Sequence, residues 1–299
     1  SKEYKNRLGY IPCELEHESV AKGLEYAYDD WCISLLAQAA GDSVGAGHYA
    51  QLGQAYKQYF DPAVRFMRGK DSNGKWRTPF NPRSSNHRAD DYCEGTAWQW
   101  SWYVPHDVEG LIELMGGEDA FVGKLDSLFT ADSALEGDVV SSDISGLIGQ
   151  YAHGNEPSHH IIYLYNYANR PWKAQKLVDQ VLKEQYHDDI DGLSGNEDCG
   201  QMSAWYVISS LGFYQVAPGR PVYSIGRPWF EHASVKLPSG KTIEINVENF
   251  SKDNMYIESV TLNGKPLETP FFTHADIVDG AVFEYVMTDK PTEWGMTVK

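Results

Sequence analysis

The spacing of apolar residues changes at Pro218-Gly219, and that change limits the folds open to this chain of 299 residues. Before it, apolar side chains recur at helical intervals. Leu24, Tyr28, Trp31, Leu35 and Ala39 form one stripe; Tyr49, Leu52, Tyr56 and Tyr59 mark a second helix. After it they alternate: Ile243, Ile245 and Val247 share one side of an extended segment with polar residues between them. Pro238-Ser239-Gly240 divides Ala233–Leu237 from Thr242–Val247 as a hairpin, Asn263-Gly264 signals a tight turn, and Phe283–Met287 reads as another strand. The expected fold is therefore mainly α with a C-terminal antiparallel β module, residues 1–218 being helical and residues 219–299 forming the module. A module that thin must dock on the helices or complete a sheet from elsewhere.

Within the helical part, Asp61-Pro62 predicts a third helix start, with proline near its first position. Further helices are expected at about 95–103, 106–115, 118–129, 157–169, 171–186 and 200–212. Short turns alternating with long loops pair successive helices antiparallel, as in an α/α toroid or solenoid; the lack of a repeating unit argues against the solenoid. Gly69–Asp91 forms a long polar loop, and such a loop inside a compact domain usually serves function.

Charge narrows the partners. The chain carries 42 acidic against 25 basic residues, a net charge of −17, which disfavours phosphate backbones and anionic membrane surfaces. It suits a neutral or cationic ligand or bound divalent cations. No apolar run reaches the length of a membrane span, and these residues are read as containing no signal peptide. The opening Ser1-Lys2-Glu3 reads as a processed or cut chain. With 9 Trp, 19 Tyr and 11 Phe, rings are available to stack on sugar C–H faces, although most aromatics fill cores. Cys13, Cys32, Cys93 and Cys199 include no Cys-x-x-Cys pair and are expected to be reduced and buried.

Three segments carry chemistry. The first is Gly192-Leu193-Ser194-Gly195-Asn196-Glu197-Asp198-Cys199-Gly200, which sets carboxylates and amides on a glycine-hinged loop running into the aromatic helix of Met202–Tyr206. The second, Asp90 to Trp100, places Glu94 just before a tryptophan-dense helix. Poor hydration among indoles would raise its pKa, as a general acid requires, although Glu94 could equally serve the positive end of that helix. The third, His153 to His160, has Pro157 fixing Asn155 and Glu156 before a first helical turn. Their oxygens there suit a hard cation such as Ca²⁺, or simply cap the helix. Zinc fails for want of His-x-x-x-His spacing, and a di-iron bundle ranks low because Glu14-x-x-His17 and Glu156-x-x-His159 lie at helix starts. An EF-hand would need His187 as its first ligand; a phosphate-binding loop and a Gly-x-Ser-x-Gly elbow are absent. A carboxylic acid and a carboxylate remain, the minimum for glycoside hydrolysis. Asp198 is the better base, since a polar glycine-rich loop keeps it ionised. His153, Glu156 and Trp98 are the expected contacts to substrate.

Leu24-Glu25-Tyr26-Ala27-Tyr28-Asp29-Asp30-Trp31, Glu94-Gly95-Thr96-Ala97-Trp98-Gln99, Gly154-Asn155-Glu156-Pro157-Ser158-His159-His160 and Gly195 to Tyr206 together resemble the family-92 glycoside hydrolases, exo-acting α-mannosidases. Ile257–Lys265 and Trp294-Gly295 resemble that family's C-terminal end. The resemblance implies part of an (α/α)6 toroid, calcium dependence and inversion at the anomeric carbon. It implies Glu94 as general acid, Asp198 as general base, and Asn155 and Glu156 near the ion that holds the sugar's O2 and O3. Asn196 stands where family members often carry Asp; an amide cannot act as a base, so Asn196 would orient the water or ligate the ion. The family's N-terminal β domain and early helices are missing here, so the chain is expected to be a C-terminal piece that is inactive alone. A mannose-containing glycan is the implied partner, and a periplasmic or extracellular location follows by analogy. The alternatives are a glycan-binding protein without turnover and an α/α-toroid glycosidase acting on another sugar.

Overall fold

The computed structural model describes residues 1–297, so the last two residues of the expected 219–299 module lie outside it. Two compact units divide the chain at Ser158/His159, so the change of period at Pro218-Gly219 falls inside the second. Among the described residues no helix is long and apolar enough to cross a membrane.

The first unit, Ser1–Ser158, opens with α1 (Lys2–Leu8), α2 (Ser19–Ala39) and α3 (Ser43–Leu52). α2 forms where expected, but of its predicted stripe only Leu24 is buried: Tyr28, Trp31 and Leu35 are half-buried and Ala39 is exposed, and the buried face runs instead through Val20, Ala21, Leu24 and Ala27. Gly23 lies under Tyr59: a Cβ there would sit 2.0 Å from the phenol oxygen, which accepts the Ile11 amide at 2.9 Å. The stripe from Tyr49 to Tyr59 is not one helix, because α3 gives way to a 3-10 turn at Gly53–Gln58.

The helix expected from Asp61-Pro62 does not form. β1 (Phe60–Asp61) and β2 (Phe66–Met67) make an antiparallel pair instead. The Asp61 carboxylate takes the Ala63 amide and Arg68, and Arg65 turns back through a left-handed φ of 59°. An Asx-type reversal outcompetes the helical start. The long loop contains β3 (Ser84–Asn86), which pairs in parallel with β4 (Glu136–Val139). Its end is pinned by Asp91, whose carboxylate takes Ser19 Oγ at 2.8 Å and Arg77 Nε at 2.9 Å.

α4 (Ala97–Trp100), α5 (Val108–Leu114) and α6 (Glu118–Thr130) follow around the expected positions, α4 much shorter than predicted. β5 (Leu147–Ile148) and β6 (Tyr151–Ala152) form a hairpin that delivers the chain to His153.

The second unit begins at His159. Where one helix was expected over 157–169, there are short 3-10 turns and α7 (Leu164–Tyr167). α8 (Pro171–Glu184) starts on proline and buries Ala174, Leu177, Val178, Val181 and Leu182, an unbroken i, i+3, i+4, i+7, i+8 stripe. α9 (Gln201–Ser210) ends the helical part.

β7 (Phe213–Tyr214) and β8 (Val222–Ile225) join a later strand in a small sheet of three. The main sheet is built from β9 (His232–Lys236), β10 (Thr242–Glu248), β11 (Tyr256–Leu262), β12 (Lys265–Pro266) and, after β13 (Phe271–Thr273), β14 (Ala281–Thr288). Its order is β12-β11-β14-β10-β9. The β9–β10 hairpin is the one the sequence predicts, and Asn263 and Gly264 take φ of 53° and 73° in the tight turn before β12. The sheet is not wholly antiparallel: β14 inserts between β11 and β10 and runs parallel to β10, Ile245 opposite Phe283. Ile243, Ile245, Val247, Ile257, Val260, Phe283, Tyr285 and Met287 are buried in one core with Phe213, Ile225 and Phe272 of the smaller sheet. α8 closes against this module, Gln175 Oε1 accepting the Ile257 amide at 3.0 Å.

Candidate functional site

Glu94 sits where loop becomes helix, half-buried and with a left-handed φ of 46°. Non-glycine residues hold such a conformation only when their surroundings impose it. Here three contacts do. Thr96 caps α4 and forms a reciprocal capping box with Gln99. Gln99 Nε2 donates to the carbonyl of Gln150 at 2.5 Å, tying α4 to the β5–β6 turn. Asn155 Nδ2 donates to the carbonyl of Glu94 at 2.8 Å. Gly95 is needed at this bend because a Cβ would meet Trp100 Nε1 at 2.8 Å, and that indole donates to the Cys93 carbonyl. The second and third sequence segments are thereby brought together in the first unit.

Trp98 is half-buried, edge-on to Phe66 at 4.9 Å, with the Lys124 ammonium 4.3 Å from its ring centre. Asn155 is buried and its Nδ2 donates to the Glu94 carbonyl, which leaves Oδ1 as its side-chain acceptor; Glu156 beside it is half-buried. His153 is fully buried, its Nδ1 2.8 Å from the Tyr151 hydroxyl.

Residues that sequence reasoning gave no role also belong to this neighbourhood. Burial, with the carboxylates of Glu18, Glu94 and Glu25 nearby, pushes the Cys93 thiol up to about 12, so it stays a thiol. Burial also raises the Glu25 carboxyl above the ordinary glutamate range, against the opposing bond from Tyr103. Glu25 lies within the first resembling segment, but nothing local in the sequence shows that it comes near Glu94's neighbour.

In the second unit, Asn196 and Asp198 are exposed on the acidic loop. Asp198, Cys199 and Gly200 take left-handed φ values of 49°, 56° and 98° in succession. Cys199 is exposed and Cys32 and Cys93 are only half-buried, so of the four unpaired thiols Cys13 alone meets the expectation of burial; the turn carries Cys199 outward. Glu197 is committed to α9: its carboxylate accepts the Gly200 amide at 2.5 Å and the Ser203 amide at 3.2 Å. Those bonds hold its pKa below the ordinary range. Asp198 is therefore the acid of this pair that faces solvent. α9 is anchored by Trp205 Nε1 donating to the His159 carbonyl at 3.0 Å and by Gln201, 3.1 Å from His159 Nδ1.

The donor set for a cation is oxygen-based. Among the described residues no group of three or more His, Cys, Asp or Glu side chains gathers to hold a metal. The amide oxygen of Asn155 and the carboxylate of Glu156 match a hard cation that takes amide, carboxylate and water oxygens together.

Comparison with known proteins places these features in context. The family described as the glycosyl hydrolase family 92 catalytic domain matches residues 1–289. A protein named an uncharacterized secreted glycosidase, from Arthroderma benhamiae, is 29% identical over 96% of this chain and 39% of its own length. A solved family GH92 alpha-mannosidase from Bacteroides thetaiotaomicron, in complex with mannoimidazole, is 43% identical, with a TM-score of 0.90 over 95% of this chain and 38% of its own. A second solved protein from that organism, a family GH92 inverting mannosidase, is 37% identical, with a TM-score of 0.87 over 99% of this chain and 41% of its own. The chain thus spans about two-fifths of the length of the relatives it matches.

Proposed function

This chain belongs to glycosyl hydrolase family 92, and on that premise we propose that the whole protein removes terminal α-linked mannose from glycans with inversion at the anomeric carbon. The observation that carries the proposal is 43% identity, across 95% of this chain, to a solved alpha-mannosidase. The inverting mannosidase among the relatives supports the stereochemistry.

Glu94 is the proton donor to the departing oxygen, and Asp198 takes the proton from the attacking water. Inversion is a single displacement by water, so neither carboxyl bonds to the sugar. The bracing of the Glu94 backbone by Asn155 supports the first role, since a proton donor must be held within hydrogen-bond reach of the leaving group. The commitment of Glu197 to the α9 amides supports the second, as it leaves Asp198 to meet water. Asn196 is an amide and takes no proton at neutral pH; it orients the water or offers its oxygen to the ion. Of the expected contacts, Glu156 and Trp98 are half-buried and meet the sugar; His153 is fully buried and does not.

Calcium fits the oxygen donors of Asn155, Glu156 and Asn196, and when bound it would supply a fixed positive charge for sugar hydroxyls. The helical part is proposed to belong to an (α/α)6 toroid, with a β domain and earlier helices supplied by the longer protein. The relative named as secreted supports export to the periplasm or the cell exterior.

The test uses the full-length protein on an aryl α-mannoside and on α-linked mannose disaccharides, with the anomer of the first product followed by NMR. β-Mannose is expected first. Glu94→Gln should slow the disaccharides by roughly 10²–10⁴-fold and the aryl mannoside much less, because a good leaving group needs little protonation. A chelator should suppress turnover and added Ca²⁺ should restore it. α-Mannose as the first product, or an unimpaired Glu94→Gln enzyme, overturns the mechanism. Binding without turnover would favour a glycan-binding protein, and glucose released in place of mannose would favour another α/α-toroid glycosidase.

A further inference from the structure

Two adjoining cavities in the second unit share Lys183 and Trp229 as walls. The smaller, about 400 Å³, is completed by Arg227, Phe250, Ser251 and Lys252. The larger, about 910 Å³, runs from the shared walls past Tyr206 and Ser203 to Asp188 and Asp189. None of these residues carries a role in the hydrolysis proposed above.

The smaller cavity brings three cations together in a chain whose net charge is −17. The buried carboxylate of Asp179 answers only part of that charge, bonding Lys183 at 2.7 Å and Arg227 at 2.6 Å. Arg227 is 2% exposed. Its Nη1 meets Asp179 and its Nη2 donates to the Ser251 carbonyl at 3.2 Å, while its buried Nε has no hydrogen-bond partner. A buried guanidinium N–H without an acceptor is unfavourable until an acceptor reaches it. The guanidinium also lies over the Trp229 ring, 4.9 Å from its centre, with the Lys183 ammonium 5.9 Å away. Trp229 is half-exposed and Phe250 is exposed, so flat apolar faces stand beside the positive charge.

We propose that this is a second binding site, for an anionic sugar: the ring stacks on Trp229 and Phe250, and its carboxylate or phosphate is held by Arg227, Lys183 and Lys252. Charge-assisted bonds from arginine and lysine are the strong contacts to either group, and the aromatic faces select a carbohydrate over a simple ion. The adjoining cavity extends the site for a glycan. There Asp188, Asp189 and Ser203 accept bonds from the hydroxyls of a neighbouring neutral sugar, while the acids reject a second negative charge. Specificity therefore comes from opposite potentials at the two ends of one groove.

The experiment is saturation-transfer NMR on the full-length protein with glucuronic acid, glucose 6-phosphate and glucose. At least one of the two anions should bind in roughly the millimolar range and weaken as salt is raised, while glucose binds far more weakly. Glucuronic acid alone identifies a carboxylate ligand, glucose 6-phosphate alone a phosphate, and both an anion of either type. Lys252 is exposed, so Lys252→Glu should fold normally; it should weaken the anion by about fivefold or more and leave mannoside turnover unchanged. The proposal is overturned if neither anion binds at roughly 10 mM, if glucose binds as well as they do, or if Lys252→Glu leaves binding intact. Because the readout is binding, its failure is distinguishable from failure of the hydrolytic reading.

Discussion

Lys124 projects from α6 onto the rings of Phe66 and Trp98, its ammonium 3.2 Å and 4.3 Å from their centres. Burial first, and the charge of Arg65 second, pull its pKa down to about 7. Unfolded, it would titrate near its ordinary value of about 10.4. Between those values the unfolded chain holds the extra proton, so this lysine destabilises the fold most below pH 7 and ever less as pH rises toward 10. Lys124→Met is therefore expected to melt higher than the parent at pH 6, with the gap closing at pH 9. Thermal unfolding at both values checks this; an equal offset at both would indicate packing and not charge. Glu94 and Asp198 could be proposed from the sequence because each lies in a short run whose neighbours single it out. Lys124, Glu25 and the cavity around Arg227 were not, since their partners come from distant parts of the chain. The bonds from the Glu197 carboxylate to the Gly200 and Ser203 amides were equally hidden, because they depend on how the chain turns back onto α9.

Short elements here hold position through their ends. α4 has only four residues, Ala97–Trp100, too few to be stable alone. The Thr96–Gln99 box and the bond from Gln99 to Gln150 fix it, and with it the bend at Glu94. Thr96→Ala is expected to cost about 1 kcal/mol, read by urea unfolding, and to lower turnover in the full-length enzyme beyond what that loss of stability explains. In the β module, Phe283→Ala is expected to cost roughly 3–5 kcal/mol, since Phe283 is fully buried at the centre of the sheet. Periodicity gave the β9–β10 hairpin and α8 because both carry local turn or cap signals. It failed at Asp61-Pro62, where a side-chain bond to the next turn competes with the helix. It also missed the parallel pairing of β10 with β14, since strand direction is set by the path of the intervening chain and not by alternation.

For the molecule as a whole, charge was the most readable property. A net charge of −17 makes the compact state repel itself. Raising salt from about 10 mM to about 150 mM should therefore increase the melting temperature, as screening shortens the reach of that repulsion. A melting temperature unmoved by salt would mean that the acidic groups are already locally compensated. The division into units at Ser158/His159 was not readable, because the sequence changes its period elsewhere. The order of the five-stranded sheet has one more consequence. Its outer strands are β12, only Lys265–Pro266, and β9, which carries His232 and Lys236 on exposed positions. A proline offers no amide to a newcomer, and the basic side chains make the other rim inhospitable to flat stacking. The rims thus give stray extended peptides little to zip onto, which should keep concentrated solutions from seeding fibrils.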